Sequence, residues 1–263
     1  MLKNLLVHIP SERHIHPVID GAISMATSCD SHLDAVSVGF ETANLGIIME
    51  TNGAVIDPAL EIERKNALAR AYRALAVFEE EARHAGICYN LQAFGCLPAE
   101  ATALVGAITR LYDLTIVQQP EFEDDTFDNT ISLEILLQSG GPVLFVPNTH
   151  KGPLALKRIG IAWDGSRLAA RALRDAMPFL SHTKEITIIS VNDTDFKASE
   201  KASAKSLSVH LARHDLTSRI ERLTVDRNEI HTAILSIAVD DGLDLIVMGG
   251  YGHSRFKERI LGG

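Results

Sequence analysis

Aromatic residues, cysteines, positive charge and long apolar runs are all scarce in this chain, and each shortage removes a class of protein. Phe, Trp and Tyr make up 5% of the 263 residues, so cores must be assembled from Leu, Ile, Val and Ala. The three cysteines, Cys29, Cys88 and Cys96, are odd in number and form no C-x-x-C pair. That excludes a disulfide framework and leaves them as small buried hydrophobes of a reducing compartment. Lys and Arg number 25 against 34 Asp and Glu, a net charge of -9. A general nucleic-acid binder needs a basic face, and this balance argues against one. No apolar stretch approaches the roughly 20 residues that a membrane span requires, and no apolar segment with a cleavage site follows Met1. The expectation is a soluble, cytoplasmic protein with neither a membrane nor a nucleic acid as partner.

What is present is an alternation of short apolar runs with amphipathic stretches. Lys3 to Ile9, Leu33 to Phe40, Cys88 to Phe94, Leu114 to Val117 and Val143 to Val146 read as strands. Between them, Val18 to Cys29 reads as a helix. A longer one carries Leu68, Ala71, Leu75, Phe78 and Ala82 at three- and four-residue steps and stops at Gly86. Another opens at Pro98 with Ala101, Leu104, Val105, Ile108 and Tyr112 as its stripe, and a short one covers Ile131 to Gln138. Residues 41 to 58 show no period and read as a loop. Such alternation implies a parallel sheet with helices on both faces.

After the polar, proline-bounded segment Pro147 to Pro153, the pattern starts again. Strands are expected at Ile159 to Trp163, Glu185 to Val191, Arg219 to Val225 and Leu245 to Met248. The helices between them begin at Ser166, near residue 197 and around Ile230. Lys3-Asn-Leu-Leu-Val-His-Ile pairs with Lys157-Arg-Ile-Gly-Ile-Ala-Trp, and Tyr112-Asp-Leu-Thr-Ile-Val pairs with Leu243-Asp-Leu-Ile-Val-Met. The chain is therefore an internal repeat, with domains at 1–148 and 149–263. The second copy stops short of a last helix and strand equivalent to 131–146, so the natural chain is expected to continue past Gly263.

The most informative stretch is the end. The buried run Leu245 to Met248 opens into glycines spaced Gly249-x2-Gly252-x9-Gly262, with Arg255, Lys257 and Arg259 among them. This is neither the P-loop nor the Rossmann fingerprint. It resembles the nucleotide motif of the universal stress protein family, G-x2-G-x9-G-(Ser/Thr), with Gly263 at the fourth position in place of the hydroxyl residue.

The resemblance covers essentially the full length, by motif in the second copy and by pattern in the first. It implies two tandem doubly wound parallel five-stranded sheets of order 3-2-1-4-5, an adenine-nucleotide alpha-hydrolase-like α/β fold. It also implies ATP as the ligand, with or without Mg²⁺. Carried over residue by residue, Asp164 faces the ribose and phosphates or a nucleotide-bound Mg²⁺, and the main chain of Val191 meets the adenine edge. Gly249, Gly252, Gly262 and Gly263 fall on the phosphate loop. The bland alternatives stay open: Asp164 as a turn residue, the glycines as turn formers, the three cations as a solvated face, and Trp163 as core packing.

In the first copy Pro10 stands in the place of Asp164. The loop after its fourth strand runs Gln118 to Asp128, with Glu121, Glu123, Asp124, Asp125 and Asp128 and no glycine. It is expected to be a solvated loop in a domain that binds no nucleotide. The functional expectation is an ATP-binding protein of stress survival or signalling. The alternatives are a nucleotide-independent adaptor of the same fold and a slow ATPase. Its partners would be an adenine nucleotide, a second copy or an intramolecular pseudo-dimer, and a protein of unknown identity.

Overall fold

A computed structural model describes residues 2–41, 58–121, 126–181, 183–192 and 202–250. The chain falls into two compact units, Met1–Pro153 and Leu154–Gly263. In the first unit the elements run β1 (Asn4–His8), α1 (His16–Cys29), β2 (His32–Phe40), α2 (Pro58–Ala85), β3 (Tyr89–Cys96), α3 (Pro98–Thr109), β4 (Leu114–Gln118), α4 (Phe127–Gln138) and β5 (Val143–Val146). They form one parallel sheet of order β3-β2-β1-β4-β5. The central strands are buried on both faces, with Leu5, Leu6, Val7, Ile116 and Val117 fully inaccessible. Side chains alternate across a strand, and Leu6, Val36, Val38 and Val117 meet Ala101 and Val105 of α3 and Ile131 and Ile135 of α4.

The long helix α2 lies unusually close to the sheet. Its inward residues Ala67, Ala71 and Ala74 are small, followed by Leu75, Phe78 and Ala82. Opposite them, β2 and β3 present Gly39 and Gly95. A β-carbon on Gly39 would sit 1.7 Å from the Ala67 carbonyl oxygen, and one on Gly95 would sit 3.1 Å from the Arg64 carbonyl oxygen. Gly86, at φ +68°, follows the helix in the left-handed region that glycine tolerates.

The second unit contains β6 (Arg158–Ala162), α5 (Arg167–Leu180), β7 (Glu185–Val191), α6 (Ala204–Ala212), β8 (Ser218–Leu223), α7 (Ile230–Asp240) and β9 (Leu245–Val247). Its sheet has order β8-β7-β6-β9, all parallel. Among the described residues it has four strands where the first unit has five. Ile159, Ile161, Ile186, Ile188 and Val247 of the sheet pack with Leu173, Ala176 and Leu180 of α5 and Leu207 and Leu211 of α6.

Three expectations change. Helix α4 starts at Phe127, four residues before Ile131, with the polar Asp128 and Asn129 buried in its first turn. Among the described residues, α6 begins only at Ala204, where Ser203 Oγ accepts the Ser206 N–H at 3.2 Å. The cysteines are not core residues: Cys29 and Cys96 are half-buried and Cys88 is exposed. Among the described residues, no helix is long and apolar enough to cross a membrane.

Candidate functional site

In the second sheet β6 lies between β7 and β9. The chain leaves β6 towards β7 and β8, and reaches β9 only afterwards, on β6's other side. Neighbouring strands whose connections depart in opposite directions leave a crevice beyond their carboxyl ends. Ile161 is in register with Val247, so Asp164 and Gly249 emerge at the same edge of the sheet, on either side of that crevice.

Local chemistry fixes both. Asp164 is exposed, and its Oδ1 accepts the Ser166 N–H at 2.8 Å across Gly165, which sits at φ +72°. Ser166 Oγ in turn accepts the Ala169 N–H at 3.1 Å and caps α5. The turn occupies one carboxylate oxygen of Asp164, and Oδ2 makes no hydrogen bond among the described residues. Gly249 rests on the amino end of α5: a β-carbon there would lie 2.7 Å from the Ala169 nitrogen and 2.8 Å from the Leu168 carbonyl carbon. The unpaired N–H groups and dipole of a helix amino end favour an anion. A side chain at this point would press on that end. Packing alone would also require the glycine.

Val191 ends β7, paired with Leu223 of β8. Asn192 follows at φ +58°, in the left-handed region. Its amide side chain clasps Val225, accepting the N–H at 3.0 Å and donating to the carbonyl at 2.8 Å. This holds the main chain at the end of β7 in place. Trp163 packs half-buried against the core and donates its indole N–H to the Ala202 carbonyl at 2.7 Å. Gly252, Arg255, Lys257, Arg259, Gly262 and Gly263 lie outside the described residues. Among the described residues, no group of three or more His, Cys, Asp and Glu is placed to hold a metal ion. Asp164, with one oxygen left over from its turn, suits a metal brought in on a phosphate better than a resident ion.

At the corresponding place in the first unit, Asp128 holds the backbone that follows β1. The expectation of a solvated acidic loop fails at Asp128, which is fully buried at the first turn of α4. Its Oδ2 accepts the backbone N–H groups of Ser11 and Glu12, both at 3.0 Å. These residues follow β1 at the place where the second unit has Gly165 and Ser166. Oδ1 of Asp128 stands 3.9 Å from Nε2 of His8, the last residue of β1, which is also fully buried. Arg13 lines the same space, its guanidinium 3.3 Å from Glu121 Oε1 and donating to the Gln119 carbonyl.

Burial pushes the Asp128 carboxyl up to about 7, against the N–H bond from Glu12 that would lower it. Burial, and then the Arg13 charge, lowers His8 to about 4. Glu123, Asp124 and Asp125 lie outside the described residues. In the sequence Asp128 read only as one acid of a solvated loop, and nothing there placed it beside His8. Thr126 just ahead of Asp128 was the available cue to an earlier helix start.

Residues 155–263 match the family model described as Universal stress protein family. Among solved structures, a universal stress protein from Archaeoglobus fulgidus DSM 4304 is similar over 92% of this chain and 86% of its own, at TM-score 0.68 and 15% identity. A putative universal stress protein from Pseudomonas aeruginosa UCBPP-PA14 is similar over 94% of this chain and 82% of its own, at TM-score 0.55 and 15% identity. Likeness at such identity speaks for the fold. No curated protein matches in sequence.

Proposed function

With its second unit belonging to the universal stress protein family and its first repeating the fold, we propose that this chain is a stress-response protein that binds ATP in the second unit. The observation that carries this reading is the placement of Asp164 and Gly249 on either side of the β6–β9 crevice, with Gly249 opening the G-x2-G-x9-G spacing. In this reading Asp164 Oδ2 meets the ribose or a phosphate-bound Mg²⁺. The amino end of α5 and the glycine loop take the phosphates, and the end of β7 takes the base. The first unit takes no nucleotide, since Asp128 already holds the N–H groups at its crevice.

Calorimetry of ATP with Mg²⁺ on the full chain tests this. A saturable heat is expected, one nucleotide per chain, weakened about tenfold in Asp164→Asn, the loss of one charge-assisted contact. The amide keeps the acceptor that the Ser166 turn needs, so the variant removes charge and not the turn. No heat and no thermal shift at millimolar ATP would overturn the proposal.

One observation favours a nucleotide-independent adaptor: Gly263 lacks the hydroxyl that the family motif supplies. That reading requires Gly252→Asp to leave stress survival intact. A slow ATPase requires phosphate release that Asp164→Ala abolishes.

A further inference from the structure

Helix α6 and the turn that closes it carry two histidines that the function proposed above does not use. Ala204, Leu207 and Leu211 pack inward on the core of the second unit. His210 and His214, four residues apart, stand exposed on the outside. Residues at that spacing share one face of a helix. The backbone is held to the end of the pair, where the His214 N–H bonds to the Leu211 carbonyl at 2.9 Å. Asp215, at φ +61°, then ends the helix, with its own N–H on the Ala212 carbonyl and the Leu216 N–H on the Leu211 carbonyl, both at 3.1 Å. Among the described residues neither imidazole has a hydrogen-bond partner. The two rings meet each other, with centroids 4.9 Å apart.

That separation suits one ion held by both rings. A metal–nitrogen bond of about 2.0–2.1 Å puts each ring centre about 3.2 Å from the ion, so two rings bound at a right or tetrahedral angle lie about 4.5–5.2 Å apart. The last carbonyls of α6 and the negative end of its dipole favour a cation at this point. Lys205 and Arg213, which line an open groove with Ser206, Val209 and His210, oppose one. At exposed positions that repulsion is screened by salt, whereas bonds to nitrogen are not. The open groove leaves the ion's other positions to water. A second histidine pair gives the contrast. His14 and His16 are two residues apart and share no helix face, and their centroids are 5.4 Å apart. His16 also opens α1, at the positive end of a helix dipole.

We propose that His210 and His214 chelate a divalent transition-metal ion of the zinc class, with two protein nitrogens and water in the remaining positions. Imidazole suits Zn²⁺, Cu²⁺ and Ni²⁺, whereas Mg²⁺ prefers oxygen ligands. The same four-residue spacing puts two zinc ligands on one helix face in H-E-x-x-H proteins. The site stands independently of the nucleotide reading.

Zinc titration of the nucleotide-free full-length chain, with ¹⁵N-labelled histidine followed by NMR, tests this. At the lowest Zn²⁺ additions the His210 and His214 rings should shift together, ahead of His14 and His16, and Mg²⁺ should move neither. Loss of an outer-shell partner already costs 10–100-fold in metal affinity, so His210→Asn and His214→Asn should each weaken the tightest Zn²⁺ site by at least about tenfold. His14→Asn should leave it unchanged. Both ligands are exposed, so thermal melts of the variants in chelator should match wild type. Absence of Zn²⁺ binding, wild-type affinity in either ligand variant, or a first response at His14 and His16 would overturn the proposal.

Discussion

Asp113 and Asp244 hold equivalent places in the two units. Asp113 Oδ2 accepts the backbone N–H groups of Lys3 and Asn4 at 2.7 and 3.0 Å; Asp244 Oδ2 accepts those of Lys157 and Arg158 at 2.9 and 2.8 Å. Each carboxylate fastens the entry of the fourth strand to the entry of the first. Hydrogen bonds from Asn4 and then Lys3 hold the Asp113 carboxyl below its ordinary range.

Replacing Asp113 with Ala should therefore destabilise the first unit. The site is exposed, which limits the loss to about 1 kcal/mol. A carboxyl lowered on folding contributes fully above its unfolded value of about 3.9, and the contribution disappears as pH falls through the lower folded value. Urea titrations of wild type and variant should differ at pH 7 and converge on strong acidification.

Gly39→Ala should be far more damaging. The added methyl would meet the Ala67 carbonyl oxygen at 1.7 Å, and backbone on both sides leaves no side chain to give way. Separating α2 from β2 should cost about 3 kcal/mol or more. A urea midpoint within error of wild type would mean that α2 does not pack on β2 through this glycine.

Tyr112→Phe probes a polar cluster at the other end of β2. Tyr112 donates to Asp34 Oδ2 at 2.6 Å, while His32 and Asn90 meet Asp34 Oδ1 at 2.6 and 3.0 Å. Burial pushes the Asp34 carboxyl up, but hydrogen bonds from Tyr112, Asn90 and His32 outweigh it and hold it below its usual range. Losing the phenol should cost about 1–3 kcal/mol at neutral pH. It should also move the Asp34 midpoint upward, which carboxyl ¹³C NMR would follow. An unmoved midpoint would remove Tyr112 from the cluster.

Gly249→Ala should destabilise the second unit by about 1–3 kcal/mol whether or not nucleotide binds, because the methyl would press on the amino end of α5 at 2.7 Å. Thermal melts without ligand would show this. Weaker ATP binding in that variant alone would not identify Gly249 as a phosphate contact, whereas Asp164→Asn leaves the packing untouched.

The repeat and the strands were legible because buried parallel strands read as unbroken apolar runs, such as Leu5 to Val7 and Leu245 to Met248; the sheet order came from the resemblance to the universal stress protein family. The placement of Asp164 across from Gly249 followed from that family order. Asp128 was not. Its partners, His8, Ser11 and Glu12, lie more than a hundred residues away, and its neighbours Glu123 to Asp125 made the whole segment look solvated. A carboxylate's burial depends on donors that arrive from elsewhere in the chain, and no local pattern records them. Asp113 and Asp244 were visible as matching letters of the repeat, but nothing in sequence told a fastening from a turn.

In the first unit the seam between β1 and β4 is stitched at both of its ends: Asp113 at the entry of the strands, Asp128 at their exit. A guest reaching that crevice would have to evict a resident carboxylate that already wears the two N–H groups an incoming anion would want. Within the first unit those two N–H groups are held by a carboxylate of the same chain. Residue 128 thus fixes the exit of the seam as residue 113 fixes its entry, so the two carboxylates set the register of β1 against β4 from both sides.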